Sequence, residues 1–115
     1  MRPLRTVTVT ITPLLGDIIS QVVAVRAPIE IVARLDSRDR LELRLQILAP
    51  DLVLIGLCQD EGGGLAISLR NALPRAKVIA LSHDGHHAYL LVPHHPRTTL
   101  IDLSPKALIE AVRNF

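Results

Sequence analysis

The sequence predicts an α/β domain in three layers, a buried parallel sheet with helices on both faces. Three observations predict it. Strand-like and helix-like segments alternate along the 115 residues, the pattern that builds parallel sheets through helical crossovers. Two of the strand-like segments, Leu52 to Leu57 and Lys77 to Ser82, are nearly continuous apolar runs, as expected of strands covered on both faces. The hydrophobic share is 49% while aromatic residues supply only 2%, so the core must be packed with Val, Ile, Leu and Ala.

Thr6 to Ile11 is β-branched at every position and reads as the first strand. Pro13 suits the first turn of a helix. Leu14 to Arg26 follows, with apolar residues at helical spacing and few polar positions, and stops before Pro28. Ile29 to Leu35 reads as the second strand, after which Asp36 or Ser37 can cap a helix. Arg40 to Leu48 fits two periods. Leu41, Leu43, Leu45 and Ile47 alternate as in a strand, whereas Leu41, Leu45 and Leu48 make a helical stripe. Its Leu, Glu, Arg and Gln residues favour helix, and a helix places Leu43 and Ile47 on the face away from that stripe.

After Pro50 comes the third strand, Leu52 to Leu57, and then a polar, glycine-rich loop, Gln59 to Gly64. Leu65 to Leu73 reads as a short helix closed by Pro74, and Lys77 to Ser82 as the fourth strand. Asp84-Gly85 between apolar runs signals a two-residue hairpin, so Ala88 to Val92 should return antiparallel with His83 and His86 facing each other across the turn. Thr98 to Leu103 reads as a further strand. Ser104 and Pro105 then open a last helix with Leu108, Ala111 and Val112 inward. With no repeats, low-complexity tracts or linker, residues 1–115 are expected to form one domain with no output domain attached.

The order and local motifs resemble the receiver domain of bacterial response regulators, of the chemotaxis-regulator type. Leu45 to Ile55, including Ala49-Pro50-Asp51-Leu52-Val53, looks like that family's second helix and third strand. Gly64-Leu65 looks like its third helix, Val78 to Ser82 like its fourth strand with a terminal hydroxyl, and Ser104-Pro105 with Leu108 like its last helix. The resemblance implies a flavodoxin-like parallel sheet of five strands, with the family's fourth helix replaced here by the hairpin.

The family's chemistry needs two acids after the first strand to hold Mg²⁺, an aspartate ending the third strand as phosphoacceptor, a hydroxyl after the fourth and a lysine after the fifth. Here the first strand ends Ile11-Thr12-Pro13 without an acid, and Gly56 stands at the phosphoacceptor position. Ser82 matches the hydroxyl. The lysine position falls on Val92 or Ile101. Gly56, Ser82 and Asp60 thus mark a degenerate phosphoacceptor pocket, and ordinary receiver phosphorylation is not expected.

All five histidines, His83, His86, His87, His94 and His95, lie within one stretch. Such clustering invites a metal, but their spacing matches no closed ligand set, and solvated turn residues are the alternative. His83, His86 and His87 are kept as a possible ligand edge, without an assigned metal or cofactor. Gly62-Gly63-Gly64 before a helix can cradle a phosphate, or be a plain flexible loop lacking a P-loop's Lys and Ser/Thr. Cys58 ends an apolar strand and reads as a buried, inert thiol. Asp60 and Glu61 are neighbours on a loop, not a catalytic pair, and no nucleophile–base pair argues for a hydrolase.

Composition excludes more than it assigns. The formal net charge of +2 comes from scattered arginines, and the aromatic platforms that stack single strands are missing, so no nucleic-acid partner is expected. No apolar run approaches the ~20 residues of a membrane span, and the Thr-rich first strand is a poor signal-peptide core. A cytoplasmic protein is expected. The remaining signal is excess apolar surface at Leu43 and Ile47, which points to a protein partner or a homo-oligomer. The rival reading is a small-molecule or metal-binding domain using the strand carboxyl ends.

Overall fold

In the computed structural model, which describes residues 3–24, 29–58, 64–91 and 98–114, six strands and four helices follow one another in the expected order. They are β1 (Leu4–Val9), α1 (Pro13–Ala24), β2 (Ile29–Leu35), α2 (Leu41–Leu48), β3 (Leu52–Gly56), α3 (Gly64–Ala72), β4 (Lys77–Leu81), β5 (His87–Leu91), β6 (Thr98–Asp102) and α4 (Pro105–Asn114). Of the two-period stretch 40–48, Leu41–Leu48 is helix. Leu41 and Leu45 are buried, and Leu43 and Ile47 face solvent.

The sheet order is β2-β1-β3-β4-β5-β6. β1 to β4 pair in parallel, but β5 is antiparallel to both β4 and β6. The expected five-stranded parallel sheet is therefore corrected to a mixed sheet of six. The reason is local: the connection after β4 is too short for a parallel crossover, so the chain must return antiparallel, and β5 takes the place beside β4.

Two aliphatic layers hold the helices to the sheet. On one face Val7, Val9, Val53, Ile55, Val78 and Ala80 pack against Leu41, Leu45, Ala66 and Leu69 of α2 and α3. On the other, Leu52, Leu54, Ile79, Leu81 and Ala88 pack against Leu15 and Ile19 of α1 and Leu108 and Val112 of α4. β3 is buried at every position, which explains its unbroken apolar run. β2 is an edge strand with a bulge: Thr6 opposes Ile31 but Val7 opposes Ala33. The extra residue, Val32, switches the alternation between faces. Ile29 and Ile31 pack with α1 and α4, whereas Ala33 and Leu35 pack with α2 and α3.

The helix ends differ in part from expectation. Ser104 caps α4 as foreseen, its Oγ accepting from the Ala107 amide at 3.0 Å. α1 is capped by Thr12, whose Oγ1 accepts from the Leu15 amide at 3.3 Å. Neither Asp36 nor Ser37 caps α2. The residue before it is Arg40, left-handed at φ 53, and the Ser37 Oγ instead accepts from the Asp39 amide in a tight turn. Ala49, also left-handed, closes α2 by donating its amide to the Leu45 carbonyl at 2.9 Å, and Pro50 prevents continuation.

Candidate functional site

The carboxyl ends of the parallel strands are where an open α/β sheet places ligands. Here that edge is closed around Gly56. β1 stops earlier than expected because Thr10 turns left-handed, at φ 47, a costly conformation for a β-branched residue. Two bonds hold it. The Thr10 amide donates to the Leu35 carbonyl at 2.8 Å, and the Thr10 hydroxyl donates to the Gly56 carbonyl at 2.9 Å. The Arg38 guanidinium donates to the same Gly56 carbonyl at 2.8 Å through Nη2.

Gly56 is glycine for want of space. Its φ is not positive, yet a Cβ there would sit 2.4 Å from the Thr10 carbonyl oxygen and 3.4 Å from Leu15 Cδ1. The position the resemblance gives to a phosphoacceptor is thus both bare and walled off by the β1–α1 connection. Among the described residues this edge does not suit Mg²⁺ either, because a guanidinium and a hydroxyl occupy the Gly56 carbonyl.

Ser82 follows β4 directly, one step beyond the Leu81 that pairs with Gly56, but its hydroxyl belongs to the hairpin. It donates to Asp84 Oδ1 at 2.7 Å and accepts from the His87 amide at 3.0 Å. Asp84 Oδ1 also accepts from the His86 amide at 2.9 Å. These bonds, with the Ser82 one first, hold the Asp84 carboxyl below its ordinary pKa. The turn differs from expectation. Ser82 and His87 are the closing pair, the Ser82 amide donating to the His87 carbonyl at 2.9 Å, so residues 83–86 form a four-residue loop rather than a two-residue Asp-Gly turn. His83 and His86 do not close the hairpin. Gly85, at φ 77, needs its freedom there, and a Cβ would press within 3.0 Å of Leu14.

His86 and His87 lie with ring centroids 6.4 Å apart, and His87 Nδ1 is 3.8 Å from Asp102 Oδ1. Among the described residues no group of three potential ligands is placed to hold a metal. Asp60, Glu61, Gly62, Gly63, Val92, His94 and His95 lie outside the described residues. Ile101, the other lysine-position candidate, sits half-buried on β6 against the α1–α4 layer. Cys58 is exposed, not buried.

Leu43 and Ile47 remain 52% and 74% exposed on the outside of α2. Leu43 also borders a cleft of about 680 Å³ between α2 and α3, along with Arg38, Arg40, Gln46 and Leu65. A larger groove of about 950 Å³ runs between α1 and the β2 edge, over Thr8, Ile31 and Arg34. Among the described residues no helix is long and apolar enough to cross a membrane.

Reasoning from sequence missed Arg38 and Thr10. The signal for both was Gly56 itself, since a glycine ending an apolar strand marks close backbone approach. No protein-family model matches this chain, and no curated protein or solved structure matches it.

Proposed function

We propose that this protein is a cytoplasmic, non-enzymatic, receiver-like module that acts through protein contacts without phosphorylation. The observation that carries the reading is the closed Gly56 edge. A side chain of any kind at that position meets the Thr10 carbonyl at 2.4 Å, so a carboxylate there requires the β1–α1 connection to move. The receiver resemblance draws support from topology. With β5 set aside, the strand order β2-β1-β3-β4-β6 matches the order of a flavodoxin-like sheet, and those five strands run in one direction.

What such a module has left is surface. Leu43 and Ile47 place two branched aliphatic side chains on the solvent side of α2, and Arg38 and Arg40 flank the cleft that Leu43 borders. Glu42 lines the same cleft and the Arg38 guanidinium is engaged on Gly56, so it is the exposed pair Leu43 and Ile47 that favours a partner segment with an apolar face. The test is affinity capture from host extract with the wild-type protein and with Leu43→Glu/Ile47→Glu, both verified as folded by circular dichroism. The reading expects a partner retained by the wild type and lost by the variant. Equal capture by both would contradict α2 as the contact surface.

A further inference from the structure

We infer that β6 is an interface strand whose partner is β6 of a second copy, paired antiparallel about a two-fold axis through Leu100. The inference rests on the reading of this protein as an interaction module and supplies one partner for it.

The sheet has two edges, and they are unlike. β2 carries a bulge at Val32 and exposes Glu30 and Arg34, the devices that keep an edge from pairing. Among the described residues β6 pairs with β5 alone, in unbroken register over five residues, and its sequence, Thr98-Thr99-Leu100-Ile101-Asp102, has no bulge, proline or lysine. Leu100 stands at its middle, 56% exposed. The insertion of β5 is what creates this situation. It widens the sheet beyond α3 and carries Leu100, opposite the half-buried Tyr89, past helical cover.

The hydrogen-bond phase fits self-pairing. The Leu103 amide donates to the His86 carbonyl and the Ser82 amide to the His87 carbonyl. Bonds therefore alternate so that residues 99, 101 and 103 serve β5, while the amides and carbonyls of 98, 100 and 102 point outward. That outward set is symmetric about Leu100. A second copy in antiparallel orientation matches 98 with 102, 100 with 100, and 102 with 98, giving about six new hydrogen bonds. It also brings the two Leu100 side chains together on one face. The two Asp102 residues fall at opposite ends of the pairing, so no like charges meet. A five-residue edge buries less than the ~1,200–2,000 Å² of a firm complex, so a weak, concentration-dependent association is expected.

The experiment is light scattering on size-exclusion fractions over a concentration series, combined with amide hydrogen exchange. Leu100→Pro removes one outward N–H, which β5 does not use, and edge strands tolerate proline. Leu100→Lys, a charge of the kind that guards edges, serves as a second variant should the first misfold. The wild type is expected to rise from 12.6 kDa toward twice that mass, with the Leu100 amide gaining protection as concentration rises and the Ile101 amide protected throughout. Either Leu100 variant should weaken association tenfold or more, and Leu43→Glu/Ile47→Glu should leave it intact. A wild type that stays monomeric, or Leu100 variants that associate like it, would overturn the pairing. Association lost only in Leu43→Glu/Ile47→Glu would overturn it too, while leaving the interaction-module reading standing.

Discussion

Gly56→Ala is the smallest change that probes the closed edge. The new Cβ would lie 2.4 Å from the Thr10 carbonyl oxygen and 3.2 Å from its carbon, against an ordinary separation of about 3.5 Å. One side must yield by about an ångström. Thr10 cannot yield freely, because its amide is bonded to Leu35 and its hydroxyl to Gly56. Overpacking of this kind costs about 1–3 kcal/mol, and a lost hydrogen bond adds about 1 kcal/mol. Replacing glycine recovers about 0.4–1 kcal/mol through the unfolded chain. The net expectation is a loss of about 2–3 kcal/mol, a fall of roughly 10 °C in Tm for a domain of this size. Gly56→Asp should be worse, since it also buries a carboxylate. The control is Gly64→Ala, whose Cβ meets nothing within 4 Å at the start of α3 and which should gain up to about 1 kcal/mol. Urea unfolding measures all three. Gly56→Ala within about 0.5 kcal/mol of the wild type, the range of an ordinary surface change, would refute the closure.

Ala49→Gly should stabilise the protein by about 1 kcal/mol, because Ala49 closes α2 at φ 46, where a Cβ is penalised; a thermal melt reads the gain. Leu45→Ala should cost about 2–5 kcal/mol, for Leu45 is fully buried, whereas Leu43→Ala should fall within about 0.5 kcal/mol of the wild type; the pair of urea curves checks which side of α2 faces the core. The Asp84 carboxyl, held low by Ser82, favours the folded hairpin fully above the ordinary aspartate range and loses that effect as pH falls through its own depressed value. An NMR titration should show the Ser82, His86 and His87 amides shifting below the ordinary aspartate pKa, and Ser82→Ala should move that midpoint upward.

Much of the architecture was legible because it is written in local periodicity. Leu52 to Leu57 announced a buried strand, Ser104-Pro105 a helix start, and Asp84-Gly85 a reversal. The helix over residues 41–48 was separable from a strand by its residue types, and the structure places Leu43 and Ile47 outside as that choice required. What was not legible depends on contacts that hydropathy does not mark. The antiparallel return of β5 beside β4 was legible in Asp84-Gly85, but the mixed six-stranded sheet also depends on β6 pairing with β5, which the residues of β6 do not state. The four-residue loop follows from the Ser82 hydroxyl engaging Asp84 and the His87 amide, a side-chain choice that leaves no mark on hydropathy. Arg38 reaches Gly56 across eighteen residues of sequence, and in the polar run Asp36 to Arg40 nothing distinguished it from solvated charge.

The central proposal, a receiver-like module in which Gly56, the position the resemblance gives to a phosphoacceptor, is walled off, is tested most directly by intact-mass spectrometry after incubation with acetyl phosphate and Mg²⁺. The account expects the unmodified mass, with peptides spanning Gly56 and Ser82 unchanged. A gain of one phosphoryl group mapping to a carboxylate beside β3 would contradict it.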